Sequence, residues 1–219
     1  AIRCAMWRSN VQRNGGFTPR VGDHVQALGP IELYAPHGDI SCIVDRLKPL
    51  GVGDLFRQFE MLKERLIEEG LFDQENKREL PLFPTRIGVV TSPEAAAFQD
   101  VLKVLRRRFP LATVILSPTL VQGESAPPAI IRALAALNAR DDIDVILICR
   151  GGGSIEDLWA FNDERVVRAV AASRIPTITG VGHETDSTLV DVAADMRAAT
   201  PSNAAEILTP DIETLRVSL

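Results

Sequence analysis

The sequence predicts an α/β fold, a parallel doubly wound sheet preceded by a small all-β module. Two observations carry this prediction. From residue 86 onward, short apolar runs alternate with segments of helical character, which is typical of parallel strands joined by right-handed helical crossovers. Before residue 50, short runs of strand character are separated by glycine and proline, without helical periodicity.

Residues 1–50 are predicted to form the all-β module. The runs VGDHVQALGPIELY and ISCIVDRLKPL are typical of short strands, and Pro36-His37-Gly38 is typical of a turn. Three or so strands are few for a closed barrel. We therefore expect a partial module whose first strands precede residue 1.

Residues 51–83 change character and are predicted to connect two domains. Apolar side chains recur at helical spacing from Leu55 to Ile67, which indicates an amphipathic helix. Gly70 is expected to end that helix, and Asn76 to Pro84 is expected to be an exposed linker.

Residues 84–219 are predicted to form the doubly wound domain. Its strands are IGVVTS, ATVILSP, DVILICR and PTITGVG, separated by helices over about residues 94–108, 125–139 and 162–173. The carboxyl ends of parallel strands share one edge of the sheet, and open α/β sheets bind their ligands there. We expect the functional site at this rim.

Composition limits the function classes. The chain has 219 residues, 46% of them apolar, yet no apolar run long enough to span a membrane and no signal-peptide pattern at its start. We expect a cytoplasmic protein without membrane contact. A net charge of −5 argues against binding nucleic acid over the whole surface, so any such contact is local. Three cysteines without CxxC spacing suggest neither a disulfide framework nor a zinc site, and core thiols are the simpler interpretation.

The run from Asp144 to Asp191 carries the strongest candidate site. Arg150 and the glycines Gly151 to Gly153 follow one predicted strand, with Ser154 next to them. Bare backbone N–H groups beside a guanidinium suit a phosphoryl oxygen, although glycine-rich connections are often only flexible. Thr91 and Ser92 end another strand on the same rim and are expected to bind the same phosphate, and Gln122, after a third strand, is expected to make a weak contact with DNA.

His183 and Asp186 follow the last predicted strand. A lone histidine is more often structural, but nearby carboxylates can fix its tautomer, as a general acid or base requires. Asp191 and Asp195 are weaker candidates, and Asp100 alone resembles a surface acid.

Some charged and aromatic residues leave two interpretations open. Arg106, Arg107 and Arg108 could contact nucleic acid or could complement the dipole of the helix they end. Four aromatic residues could either stack on bases or pack in the core, namely Trp7, Tyr34, Trp159 and Phe161. No P-loop is present, and HETD lacks the second histidine of a zinc hydrolase motif.

Five blocks in order resemble the large subunit of bacterial exodeoxyribonuclease VII: IGVVTS with AAAFQD, LVQGE, RGGGSIEDLWAFNDE, GVGHETDSTLVD and VAADMRAATPSNAAE. The upstream segments are similar to that family's OB-type single-strand-binding module and connecting helix. The chain differs in having Glu94 where the family usually has glycine. The family continues into a long helical region that binds the small subunit, and we expect that region to be absent here.

The resemblance implies a nuclease that degrades single-stranded DNA from either end to oligonucleotides with 5′-phosphates. It places catalytic roles on Asp100, Arg150, His183 and Asp186, without a strict metal requirement and with Mg²⁺ as a stimulating ion. Two other hypotheses remain: an ATP-dependent phosphotransferase that uses the triple-glycine loop, and a non-catalytic single-stranded DNA-binding module.

Overall fold

The computed structural model describes residues 3–13, 19, 25–34, 39–49, 52–183 and 186–210. The chain divides into two compact units, Ala1–Met61 and Leu62–Leu219, and the division falls within a helix, Val52–Glu68. Each unit has its own sheet arrangement. We describe them separately.

The first unit is built from short strands and one short helix. Its strands are β1 (Arg3–Ala5), β2 (Val25–Leu28), β3 (Ile31–Tyr34), β4 (Asp39–Ile43) and β5 (Arg46–Pro49). They form a three-stranded sheet in the order β1-β4-β3 and an antiparallel β2-β5 pair. Gly29 is required between β2 and β3, since a Cβ there would lie 1.8 Å from the carbonyl oxygen of Ile43.

Two sequence predictions about this unit need comment. The helix α1 (Arg8–Arg13) was not predicted, because six residues are too few to show helical periodicity. The predicted turn at Pro36-His37-Gly38 lies outside the described residues. Cys4 is exposed, so the prediction of core thiols is wrong for it, whereas burial raises the pKa of the Cys149 thiol in the second unit to about 12.

The amphipathic helix predicted after residue 51 is α2 (Val52–Glu68), and Gly70 follows it with a φ of +72°. The segment after it is less exposed than expected. Lys77 donates from Nζ to the carbonyl oxygens of Val192 (2.6 Å) and Ala194 (2.7 Å), and partial burial lowers its pKa. The predicted linker is therefore part of the second unit and is bonded to it through Lys77.

The second unit is a five-stranded parallel sheet covered by helices on both faces. Its strands are β6 (Arg86–Thr91), β7 (Thr113–Pro118), β8 (Val145–Arg150), β9 (Thr177–Val181) and β10 (Met196–Arg197). They lie in the order β10-β9-β8-β6-β7, and all neighbours are parallel. The α/β prediction is confirmed, but β10 was missed because two exposed residues leave no apolar signal.

The helices of this unit are α3 (Ala96–Arg108), α4 (Ala126–Asn138), α5 (Ile155–Leu158), α6 (Glu164–Ala171), α7 (Leu189–Ala193) and α8 (Pro201–Leu208). The helices α3 and α8 pack together on one face, and α4 packs with α6 on the other. The central strand β8 is buried along its whole length, from Val145 to Arg150. Its continuous apolar run follows from this cover on both faces.

The strand order creates a switch point between β6 and β8. The chain leaves β6 through α3 toward β7, then returns through α4 to β8 on the other side. At such a point the two connecting helices diverge to opposite faces and leave a crevice at the carboxyl ends of the strands. Thr91 ends β6 and Arg150 ends β8, so the predicted rim residues surround this crevice.

Candidate active site

The carboxyl ends of β8 and β9 are joined by a backbone hydrogen bond. The N–H of Gly182 donates to the carbonyl oxygen of Arg150 at 3.0 Å. Gly182 has a φ of +74°, a conformation that glycine adopts without steric cost, and the chain turns sharply there. Residues after β8 and residues after β9 are thereby brought to one place.

Arg150 is buried and held on several sides. Its side chain is 7% exposed. Nη2 donates to Oε1 of Gln122 at 3.0 Å, and Nη1 donates to the carbonyl oxygen of Gly151 at 3.1 Å. A carboxylate oxygen of Asp157 lies 3.7 Å from Nη2 and balances part of the charge. The guanidinium is therefore fixed before any ligand arrives.

The glycine loop after β8 lies against both the guanidinium of Arg150 and the imidazole of His183. A Cβ at Gly152 would lie 1.7 Å from Cε1 of His183, and a Cβ at Gly153 would lie 2.2 Å from Nη1 of Arg150. At Gly151 a Cβ would meet only the Cβ of Ala97 at 3.8 Å, an ordinary contact. Bare backbone is thus required at residues 152 and 153, because the loop runs between the guanidinium and the imidazole.

His183 is the exposed member of the site. Its side chain is 71% exposed, and Nδ1 lies 3.5 Å from Oδ2 of Asp186. The same carboxylate oxygen accepts a hydrogen bond of 2.8 Å from the backbone N–H of His183. Asp186 therefore holds both the backbone and the ring of the histidine. Glu184, the other nearby acid, lies outside the described residues.

Arg197 supports this turn from β10. Its Nη2 donates to the carbonyl oxygen of Asp186 at 2.7 Å. Nothing in the sequence indicated this role, because the two residues meet only when β10 pairs with β9.

The end of β6 contributes backbone rather than side chain. Thr91 is completely buried next to the thiol of Cys149, so its hydroxyl does not reach the surface of the rim. Ser92 is partly exposed, and its carbonyl oxygen accepts from the N–H of Ala95 in the turn before α3. No described residue other than glycine has a positive φ, so Glu94 fits this turn without strain.

The amino terminus of α3 reaches the glycine loop. Ala97, in its first turn, is the neighbour of Gly151. No side chain caps the first N–H groups of this helix, because Ala95 stands at the capping position. Free N–H groups and the positive end of the helix dipole favour an anion at this point.

Asp100 lies one turn further along α3. Its side chain is 52% exposed and is paired with Lys103, with 3.0 Å between Oδ1 and Nζ. Among the described residues, no contact joins it to Arg150 or His183. The structure thus brings together three of the four predicted catalytic side chains and leaves Asp100 paired with Lys103 on α3.

The remaining predicted residues have identifiable contacts. The hydroxyl oxygen of Ser154 accepts from the N–H of Asp157 at 3.3 Å, which caps α5. Gln122, predicted as a weak DNA contact, accepts a hydrogen bond from Arg150 and so helps to position it. Arg106, Arg107 and Arg108 end α3, about 15 Å along the axis from its first turn at a rise of about 1.5 Å per residue.

Asp191 and Asp195, the weaker candidates, have structural partners. Asp191 is 4% exposed and forms a capping box with Thr188 at the start of α7. Burial raises its pKa, against hydrogen bonds from Thr179 and Thr188 that lower it. Asp195 accepts hydrogen bonds from the N–H (2.6 Å) and hydroxyl (2.9 Å) of Thr177.

Two features are absent from the described residues. They contain no group of three or more His, Cys, Asp or Glu side chains placed to hold a metal ion. They also contain no helix that is both long and apolar enough to cross a membrane.

The chain matches two family models. One, described as the large subunit of exonuclease VII, matches residues 71–219. The other, described as an OB-fold nucleic acid binding domain, matches residues 1–48. The resemblance seen in the sequence is confirmed.

Curated relatives have the same description. Exodeoxyribonuclease 7 large subunits are 53% identical over 209 residues in Thioalkalivibrio sulfidiphilus and 51% identical over 216 residues in Serratia proteamaculans. These matches cover 95% and 98% of this chain but 46% and 47% of those proteins. A third relative, from Halothermothrix orenii, is 52% identical over 94% of this chain and 51% of its own length. The chain therefore spans about half the length of the curated relatives it matches.

Among solved structures, the methanol:cobalamin methyltransferase complex MtaBC from Methanosarcina barkeri has a TM-score of 0.39 at 16% identity, over 66% of this chain and 55% of that one. That similarity is too weak to support an argument. The two family models and the relatives agree, and together they cover both units of the chain. The chain belongs to the exonuclease VII large-subunit family.

Proposed function

We propose that this chain carries the catalytic site of an exodeoxyribonuclease that hydrolyses single-stranded DNA from either end and leaves 5′-phosphates. The observation that carries the proposal is the glycine loop, which runs bare between a buried guanidinium and an exposed imidazole. This combination suits a phosphodiester, because one side holds the phosphoryl oxygens and the other can move a proton.

The phosphate is held by fixed donors. Arg150 and the N–H groups of Gly151 to Gly153 bind the non-bridging oxygens, and the uncapped start of α3 adds a favourable dipole. Because these donors are already in place, they stabilise the charge that builds up on phosphorus without reorganising.

His183 moves the proton. A water oxygen forms a bond to phosphorus as its proton passes to the imidazole, and the bond from phosphorus to the 3′-oxygen breaks. The 3′-oxygen takes a proton from solvent as it leaves, the imidazolium returns its proton to solvent, and the phosphate stays on the 5′ side. Asp186, 3.5 Å from Nδ1, orients the ring and leaves Nε2 to take the proton.

Asp100 and metal remain part of the proposal. We propose that Asp100 either orients the attacking water or binds a stimulating Mg²⁺ ion. We expect no obligatory metal. Carboxylate oxygens are the ligands that Mg²⁺ prefers, and it retains several waters, so one exposed carboxylate suits an accessory ion better than a closed site.

Substrate and partner follow from the family. The match of residues 1–48 to an OB-fold nucleic acid binding domain supports a single-stranded substrate. The term large subunit in the names of the relatives supports assembly with a small subunit. We propose that residues 1–219 alone bind DNA weakly and cut it poorly, because the chain is net negative and spans about half the length of its curated relatives. A cytoplasmic location fits this function.

The test is incubation of the purified chain with end-labelled single-stranded DNA, with and without a small subunit of the family and with and without EDTA. We expect the labelled DNA to be shortened both with and without EDTA, and to be shortened faster when the small subunit is present. Retardation without shortening would instead identify a binding module. Thermal protection by ATP with Mg²⁺, without shortening, would identify a phosphotransferase.

A further inference from the structure

A cavity of about 340 Å³ is lined in part by residues that adjoin, in sequence, two of the residues that hold Arg150. Its apolar wall is formed by Pro127, Trp159 and Ala160. Its other residues continue the segments that hold Arg150: Gly123 and Glu124 follow Gln122, and Glu156 precedes Asp157. The cavity and the guanidinium therefore share two chain segments, and a ligand bound at Arg150 can extend into the cavity.

The charges of the cavity select its ligand. Asp163 and Arg165 also line it, but they neutralise each other through two hydrogen bonds of 3.0 and 2.7 Å. Glu124 also lines the cavity, and its carboxylate has no hydrogen-bond or ion-pair partner among the described residues. The cavity is therefore net negative and repels a phosphate, whereas a neutral group with N–H donors is attracted.

The half-buried indole of Trp159 adds a second requirement. A flat ring can stack on it, and such stacking contributes about 1–3 kcal/mol for a nucleobase. The volume is at the lower end of the range for ligand pockets, roughly 300–1,000 Å³, which leaves room for one base and excludes a stack of several.

We propose that this cavity receives one unstacked base of the strand whose phosphate lies at Arg150, and that it prefers a base with an exocyclic amino group. The inference rests on the proposed nuclease function. Cytosine, adenine and guanine each offer an amino group to the Glu124 carboxylate, whereas thymine presents a carbonyl oxygen at the corresponding position and is repelled. The enzyme would then cut strands unevenly, according to the base at this subsite.

The test compares short homopolymers of deoxycytidine and deoxythymidine, which differ in that amino group and in a methyl group. Their affinities are measured by fluorescence anisotropy with the His183→Ala variant of the chain, so that the DNA stays intact. The measurement is repeated after adding Glu124→Gln, which keeps the size of the side chain but replaces one acceptor by a donor. Glu94→Gln is the matched control, an exposed acid on the same rim that does not line the cavity.

We expect Glu124→Gln to lower the ratio of deoxycytidine to deoxythymidine affinity about three- to tenfold, the size of one charge-assisted contact to a base. Glu94→Gln should leave the ratio unchanged. An unchanged ratio in Glu124→Gln, equal shifts in both variants, or no measurable binding would each overturn the base subsite. Cleavage of labelled DNA by the unmodified chain is measured in parallel, so that loss of the nuclease function is distinguished from loss of the subsite.

Discussion

The two sides of the catalytic rim are built differently. On the guanidinium side, Arg150 is 7% exposed and is held by Gln122 after β7, by the carbonyl of Gly151, and by Asp157 from α5. On the imidazole side, His183 is 71% exposed and depends on Asp186 within the same turn. The first side is fixed by contacts between distant segments, and the second by a local turn.

The difference matches the two chemical tasks that we propose. Stabilising charge on a phosphate requires donors that do not move, whereas transferring a proton requires access to water. Substitutions on the guanidinium side should therefore affect both stability and activity. Substitutions on the imidazole side should affect activity alone, because an exposed ring contributes little to packing.

The largest expected effect is on the imidazole side. His183→Ala should lower turnover by a factor on the order of 10²–10⁴, as removal of a general acid or base typically does. The melting temperature and the affinity for single-stranded DNA should change little. Single-turnover cleavage of end-labelled DNA measures the loss of turnover, and fluorescence anisotropy measures the affinity for DNA. A variant that cuts at the normal rate would remove His183 from the mechanism.

A smaller loss of activity, with a loss of stability, is expected on the guanidinium side. Arg150→Lys should lower turnover about 10²-fold, because an ammonium cannot donate two parallel bonds to the phosphate. It should also lower the melting temperature, since Gln122 and the Gly151 carbonyl lose a fixed partner. Arg140→Lys is the control, since Arg140 also makes two hydrogen bonds, to Asp142, but is exposed. Equal activity in the lysine and arginine forms would contradict the proposed phosphate contact.

Arg197 should have a weaker effect, because it acts through Asp186. Arg197→Ala removes the 2.7 Å bond to the Asp186 carbonyl and should lower turnover about three- to tenfold, the net worth of about one ordinary hydrogen bond, because Arg197 acts only through Asp186. The Michaelis constant should stay the same, and Arg197→Lys should restore part of the rate. A change in affinity with unaltered turnover would show that Arg197 contacts DNA instead.

The smallest effect on catalysis is expected far from the rim. Replacing Arg106 and Arg107 by glutamine should leave turnover at saturating DNA unchanged. If both contact the strand, the slope of log affinity against log salt should fall by about 1.4, at about 0.7 per phosphate contact. Arg132→Gln, on a helix of the opposite face, is the control. An unchanged salt slope would leave the helix dipole as the role of this cluster.

Much of the fold could be predicted because its signals are local. The strands β6 to β9 are apolar runs, and α3 and α4 are periodic enough to be located within a few residues. Elements with fewer residues were missed, among them α1, α7 and β10. Pairing and capping hold these elements, and neither is visible as periodicity.

The site could be predicted only in part. Arg150, the glycines and His183 follow strand ends, and parallel strands bring such ends together. The role of Gln122 depends on a contact between residues 28 positions apart, and that of Arg197 on pairing of β10. The sequence did contain a local signal for Asp157. Ser154 is followed three residues later by an acid, which is a helix-capping pattern. The cap also places the Asp157 carboxylate near Arg150.

The most direct test of the account is a comparison of two glycines of the loop. A Cβ at Gly152 would overlap the ring of His183, whereas one at Gly151 would meet only Ala97 at 3.8 Å. Gly152→Ala should displace the imidazole and lower turnover about 10²-fold, as a misplacement of about 1 Å can do, without loss of stability. Gly151→Ala should stay within about twofold of the unmodified chain, as substitutions without a steric conflict usually do. Turnover is measured on end-labelled single-stranded DNA. Equal turnover in the two variants would contradict the claim that catalysis requires the imidazole to lie against the bare backbone of Gly152.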